Sequence, residues 1–297
     1  MARRAAKKRI LFIVNPISGS RRKRNLPKLI DELIDKRKYK VTIALTEYAK
    51  HAAEISFKGV QDGYDIIVAV GGDGTINEVA SQMINSKATL GIIPGGSGNG
   101  LARHLNIPLS PTRAIELLNI GIETKIDTVT VNKKPFVSIA GVGFDALVAK
   151  KFANSPRRGF LTYFKIVTNE FFNYKPKKYT LYFDDGPFIK QRAFFIAFAN
   201  SNQFGYNTKI APTAKLNDGK IDICIVQKPN VFQAPVVANL LLLKLIDKSP
   251  LVDIISTSEV VIKRKKNRVI NIDGEPVKLA KDLHIKVIPL SLKVIIP

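Results

Sequence analysis

Asp65-Ile66-Ile67-Val68-Ala69-Val70-Gly71-Gly72-Asp73-Gly74-Thr75-Ile76-Asn77-Glu78-Val79 is the stretch on which the reading of this 297-residue chain turns. The run from Ile66 to Val70 is apolar throughout, as a strand covered on both faces requires. A bare Gly-Gly turn follows, and Ile76 to Ile84 reads as a helix. The pattern then repeats. Thr89-Leu90-Gly91-Ile92-Ile93 runs into Pro94-Gly95-Gly96-Ser97-Gly98-Asn99-Gly100, and a helix start is expected over 98–105. Glycine lets the main chain approach an anion closely, and a helix N-terminus aims unpaired N–H groups at it. Two such turns in tandem suggest a polyphosphate held between loops.

Outward from this pair, the first 126 residues alternate strand and helix. Arg9–Val14 and Val41–Leu45 are predicted strands; a helix over Leu26–Ile34, another over 52–60 and another over 111–120 complete the set. Short apolar strands alternating with helices predict a parallel sheet covered on both faces, with ligands beyond the carboxyl ends of its strands. From Lys125 onward strands dominate: 125–131, 136–140, 179–183, 188–198, 221–226, 260–265, 268–272 and 284–288. Two helical insertions, over 146–172 and 232–246, interrupt them. The expected organisation is an α/β domain over 1–126 and an all-β sandwich over 127–288, with 289–297 returning to the first domain.

The composition narrows the function. Lys and Arg number 47 against 24 acidic residues, a balance of +23 that attracts polyanions. A nucleic-acid partner is not expected, because no binding module is recognisable and aromatics are not interleaved with the basic runs. The single cysteine, Cys224, excludes a disulfide framework or a cysteine-rich metal cluster. No stretch approaches the roughly 20 apolar residues that span a bilayer. The most apolar helix, Val236–Leu245, is expected to be buried core rather than lipid-facing.

Several residues could carry chemistry. A carboxylate beside phosphates needs a cation, so Asp73 suggests Mg2+; the other reading is a turn aspartate bonded to its own backbone. Thr75 and Asn77 can donate to phosphate or cap the helix. Ser97 and Asn99 offer donors among Gly95, Gly96, Gly98 and Gly100. Asn15 and Ser18 end the first strand on the same edge. Thr46 either reaches the nucleotide or simply closes the second strand. There is no Gly-Lys-Ser/Thr after either turn, so this is not a Walker-A loop. Far downstream, Asp273-Gly274-Glu275 is either a plain hairpin or a turn presenting a base to an acceptor hydroxyl.

Taken in order, Asn15-Pro16 with Ser18-Gly19, Gly71 through Val79, Pro94 through Asn99, Gly141-Val142-Gly143-Phe144-Asp145-Ala146 and Asp273-Gly274-Glu275 resemble the diacylglycerol kinase family, with its bacterial soluble lipid kinases and sphingosine kinases. The resemblance implies an ATP-dependent lipid kinase whose nucleotide cleft lies between the two domains. It implies ATP contacts from Asn15, Thr46, Gly71, Gly72, Asp73, Gly74, Thr75, Ile76, Asn77, Gly96, Ser97 and Asn99. It implies Glu275 as the base, with Asp73 and Asp127 in the water network of a catalytic Mg2+. It further implies a structural Mg2+ held by Asp218 and the carbonyls of Lys215 and Lys220. Many members carry an aspartate where this chain has Gly100, which removes one link of that network. A lipid substrate, peripheral contact with an anionic membrane at its cytoplasmic inner face, and room for a homodimer complete the expectation. A kinase acting on a soluble dinucleotide is the rival, since the NAD kinases share a Gly-Gly-Asp-Gly turn.

Overall fold

The structure is a computed structural model and describes residues 6–16, 26–96, 98–156, 159–184, 186–205 and 208–297. Ser18, Gly19, the Arg21–Arg24 cluster and Ser97 lie outside the described residues. The chain divides into two compact units, Met1–Ile126 with Leu290–Pro297, and Asp127–Pro289.

The first unit contains β1 (Lys8–Val14), α1 (Leu26–Leu33), β2 (Tyr39–Leu45), α2 (His51–Gln61), β3 (Ile66–Gly71), α3 (Asp73–Met83), β4 (Thr89–Pro94), α4 (Gly100–His104) and α5 (Pro111–Ile120). The strands pair in parallel in the order β2-β1-β3-β4, with Ile10 opposite both Val41 and Ile66, and Val68 opposite Gly91. Every residue of β3 and β4 is buried, which is why both read as unbroken apolar runs. Ile30, Val79, Met83 and Leu118 bring the helices onto the sheet as buried core. Ser56 Oγ donates to the Val79 carbonyl at 2.9 Å and Tyr39 Oη to that of Leu118 at 2.9 Å. Each thereby satisfies a polar group inside the packed layers. The last residues of the chain add to this sheet in parallel, Lys293 opposite Thr89.

The second unit takes up β5 (Ile122–Val131) from Asp127 onward. It continues with β6 (Lys134–Phe136), β7 (Ile139–Gly143), α6 (Phe144–Ala153), α7 (Phe160–Asn173), β8 (Lys177–Phe183), β9 (Ile189–Ala193) and β10 (Phe195–Ala199). Then come β11 (Gln203–Gly205), β12 (Thr208–Lys209), β13 (Ile221–Val226), α8 (Gln233–Leu242), β14 (Val252–Thr257), β15 (Glu259–Arg264), β16 (Arg268–Ile272), β17 (Glu275–Leu279) and β18 (Asp282–Ile296). One antiparallel sheet runs β14-β13-β10-β7-β16-β17, and β9, β8, β15 and β18 form the other layer. Ile196, Phe198, Ile223, Val260, Ile262 and Ile285 fill the space between the layers. On β10 the alternate residues Ala197 and Ala199 belong to a second cluster on the opposite face, which α8 covers. Both faces of this strand are therefore buried, and its sequence shows no polar alternation.

Five expectations need correction. The predicted strand 136–140 is divided between β6, which ends at Phe136, and β7, which begins at Ile139. The predicted strand 188–198 is two strands, because the chain changes sheets at Phe194: Ala193 pairs with Lys177, whereas Phe195 pairs with Val226 and Gly143. The insertion at 146–172 is two helices. The predicted strand 284–288 and the returning segment 289–297 are joined in one strand, β18, in which Pro289 mimics a turn signal and Leu290 takes a positive φ. The helix at 236–245 has no buried residue in α8, so it is not core. Strands β14 and β17 were not anticipated. β17 carries Pro276, and it tolerates the missing N–H because it is the sheet's edge.

Candidate functional site

In the first unit the C-terminal ends of four parallel strands meet at one edge. Asn15 follows β1, Thr46 follows β2, Gly71 to Thr75 link β3 to α3, and Gly96 and Asn99 follow β4. Asn15 Nδ2 donates to Thr75 Oγ1 at 3.1 Å, and the Asn15 N–H to the Val70 carbonyl at 3.0 Å. Thr46 is buried and its N–H donates to Val14, continuing the sheet past β2. Thr75 is buried, Asn77 half-buried, and Ile76 faces the core, so only its main chain can meet a ligand.

The two glycine turns pack directly on each other. A Cβ on Gly96 would stand 2.7 Å from Gly72 Cα, backbone against backbone, and one on Gly98 would meet Asp73 Oδ2 at 2.7 Å. The Gly95 N–H donates to the Gly71 carbonyl at 2.7 Å. Asp73 clamps the junction: its carboxylate accepts the Asn99 N–H at 2.9 Å and the Gly100 N–H at 2.6 Å. Burial pushes the Asp73 carboxyl above its ordinary range, opposed by those two N–H groups and by the cation of Arg103. Asn99, in the left-handed region at φ 55, closes its own turn by exchanging bonds with Gly96 at 2.9 and 2.8 Å. Much of the glycine density is therefore explained by turn-on-turn contact. The same contact brings two bare main chains and the start of α3 to one place.

In the second unit, β16 and β17 are joined by a two-residue turn, Asp273 at φ 45 and Gly274 at φ 90. Positive φ at both positions matches the twist of a tight hairpin. The Asp273 side chain is buried and accepts three main-chain N–H groups, from Val137 at 2.9 Å, Ser138 at 3.1 Å and Ile139 at 2.7 Å. Asn271 Oδ1 accepts the Gly274 N–H at 2.9 Å, and its amide donates to Asp145 Oδ2 at 2.9 Å. Burial pushes Asp145 up to about 6, against the pull of that bond from Asn271. Glu275, the residue after the turn, is exposed. The hairpin is thus rigid at its root and presents one free carboxylate at its rim.

Asp127 is fully buried and accepts the Gly219 N–H at 2.7 Å, while its own N–H donates to Leu216 at 2.6 Å. The structure brings Asp127 together with the loop of Lys215, Asp218 and Lys220. A cavity of about 440 Å3 opens there, lined by Lys215, Asp218, Lys220, Asp222, Asp247 and Ser256. Asp247 Oδ1 is buried with no hydrogen-bond partner among the described residues. Carboxylate and carbonyl oxygens of this kind suit a hard divalent cation. No group of three His, Cys, Asp or Glu side chains converges among the described residues, so main-chain oxygens would have to complete the set.

Sequence reasoning missed Asn200. It is fully buried, and its amide donates to the carbonyls of Asp127 at 3.0 Å and Val137 at 2.8 Å. It ties the Asp127 strand to the segment that Asp273 holds. The available signal was Asn200-Ser201-Asn202-Gln203, four polar residues directly after an apolar strand, all of them buried.

Residues 9–131 match the diacylglycerol kinase catalytic domain, and residues 138–296 match the YegS C-terminal NAD kinase beta sandwich-like domain. Together these matches define a two-domain lipid kinase. A diacylglycerol kinase of Staphylococcus saprophyticus is 27% identical over 278 residues, covering 91% of this chain and 89% of its own length. One from Staphylococcus aureus is 28% identical over 234 residues, covering 76% and 72%. A solved diacylglycerol kinase structure from Bacillus anthracis matches with a TM-score of 0.76 at 19% identity, covering 98% of this chain and 97% of that one. A second structure from that organism reaches 0.80 at 21% identity, and at these identities the likeness establishes the fold. The chain belongs to the diacylglycerol kinase family.

Proposed function

We propose that this protein transfers the γ-phosphate of ATP to a hydroxyl of a membrane lipid, diacylglycerol-like in class. The observation that carries the reading is the convergence of Asn15, Thr46, the Gly71–Asn77 turn and the Gly96–Asn99 turn at one sheet edge of the unit that matches the catalytic domain. The first N–H groups of α3 have no partners within the helix, and its dipole favours negative charge there. In this reading they and the main chain of both turns hold the triphosphate, and the Ser97 hydroxyl is assigned to it as a further donor. Asp73 keeps the turns together. Glu275 orients the lipid hydroxyl and takes its proton, a contribution of roughly 10²–10⁴ in rate. Asp273, Asn271 and Asn200 hold the backbone that carries it. Mg2+, when bound, neutralises charge on the phosphates. Asp218 with the carbonyls of Lys215 and Lys220 would hold a second, structural ion. Phosphoryl transfer asks for positioning and charge neutralisation more than covalent work, and these residues supply both.

The basic balance and the lipid acceptor support peripheral contact with an anionic bilayer from its cytoplasmic side. A lipid acceptor is favoured over a dinucleotide because the first unit matches the diacylglycerol kinase catalytic domain and the similar curated proteins carry that name. The test is incubation with labelled ATP, Mg2+ and a total lipid extract. A labelled, organic-soluble product is expected, and its identification names the acceptor. Label appearing only in added NAD, or nowhere, overturns the reading.

A further inference from the structure

Helix α8 carries an apolar face that the turns of neither unit use. Its inner residues Val237, Leu240 and Leu241 pack on the cluster of Ile139, Ala197 and Ile246. Its outer side is a stripe at helical spacing, formed by Phe232 just before the helix, Val236, Leu242 and Leu243. Phe232 is 89% exposed, Leu242 66% and Val236 60%, and the helix itself contains no buried residue. Asn239 is the one polar side chain on the stripe. Upstream, Lys228 Nζ donates to the carbonyls of Phe172 at 3.2 Å and Tyr174 at 2.8 Å. This pins the approach to α8 against the end of α7, where Phe172 is also exposed. A contiguous exposed apolar surface on an otherwise charged protein marks an interaction surface.

The charges beside the stripe choose the occupant. Across 227–248 the sequence holds Lys228, Lys244 and Lys248 against one carboxylate, Asp247. That carboxylate is paired with Lys248 at 3.4 Å. A second copy seated on this face would bring like cations together without compensation. An anionic headgroup layer compensates them, and an apolar face with flanking lysines is the pattern of a helix lying in a membrane interface. We infer that the outer face of α8 beds into an anionic bilayer, with Phe232, Val236, Leu242 and Leu243 below the headgroups and Lys244 among them. The inference rests on the lipid-kinase reading and names where such an enzyme meets the surface that carries its substrate.

The experiment is co-flotation of the full chain, without ATP, with vesicles of equal phosphatidylglycerol and phosphatidylcholine, and with phosphatidylcholine alone. The protein should float with the anionic vesicles and lose most of that binding in high salt. Phe232→Glu combined with Leu242→Glu should weaken flotation at least about ten-fold, since two side chains lose their apolar burial. Its melting temperature should hold, because neither side chain is in the core. Lys244→Ala alone should weaken it roughly five-fold and only on anionic vesicles. Undiminished flotation of the double variant overturns the inference. So does sedimentation showing a dimer that the double variant splits while vesicle binding persists. Turnover on a short-chain lipid in detergent micelles separates the two readings. Intact micellar turnover with lost flotation supports docking through α8. A chain that floats through α8 yet phosphorylates no lipid breaks the proposed function and leaves this inference standing.

Discussion

Gly72 and Gly96 in the first unit and Asp273 in the second both hold a turn still, by different chemistry. In the first unit the turns approach because side chains are absent. Main chain lies on main chain, and one carboxylate, Asp73, clamps the contact through two N–H groups. In the second unit the turn is held because side chains are present. Asp273 accepts three N–H groups from Val137 to Ile139, Asn271 closes the turn, and Asn200 ties that segment to the Asp127 strand. The first arrangement spends the N–H groups of Gly95, Gly96, Asn99 and Gly100 within the turns and leaves the start of α3 to face an anion. The second uses up its buried donors and leaves one exposed carboxylate, Glu275. Binding a polyphosphate and presenting a base ask for these opposite outcomes.

The sharpest way to break the comparison is Glu275→Gln. Phosphoryl transfer should fall by about 10³ while nucleotide affinity stays within two-fold or so, because only the second unit's contribution is removed. Single-turnover kinetics beside a nucleotide titration reads both. Near-normal transfer would strip the hairpin of its assigned part.

Asp273→Ala should come next, lowering stability by about 3 kcal/mol, because three buried N–H groups lose a charged acceptor. Urea unfolding measures it. A loss below about 1 kcal/mol would mean that the hairpin is held by its strand pairing alone.

Asp145 offers a pH test of the same root. Its carboxyl stands at about 6 in the fold against 3.8 ordinarily. Between those values the folded state binds more protons than the unfolded, so this group's contribution makes stability fall as pH rises from about 4 to 6. Asp145→Asn should flatten that fall, by on the order of 2–3 kcal/mol across the window. Parallel stability–pH curves for the two proteins would remove the claim.

Gly96→Ala has the smallest expected effect on stability, about 2 kcal/mol, because the new Cβ presses on backbone that cannot yield. It should weaken nucleotide binding at least about ten-fold and leave the second unit's hydrogen-exchange protection unchanged. A variant that binds ATP normally would show that turn-on-turn contact is dispensable.

Legibility followed the same division. Glycine in a turn is visible in a sequence because few other residues can stand there, so Gly71, Gly72 and Gly96 were found together with their strands. The apolar runs of β3 and β4 were equally plain, since strands buried on both faces have no polar side to interrupt them. Asn200 was passed over: the polar run Asn200 to Gln203 after an apolar strand marks the place, but a buried amide and an exposed one have the same letter. Asp73 was found but not its clamp, since its partners Asn99 and Gly100 lie far along the chain. α8 misled for a related reason: an apolar helix reads as core unless one knows that its outer side is exposed among the described residues.

What the sequence determined by itself is the alternation of strand and helix, the bare turns and the order of the motifs, because these depend on local sterics and on hydrophobic period. Only the tertiary structure decided which carboxylates are spent and which are free. Asp73, Asp145 and Asp273 are consumed by main-chain or amide donors brought from elsewhere in the chain, whereas Glu275 stays in solvent. That difference is set by burial and by partners distant in sequence, and no local pattern encodes it.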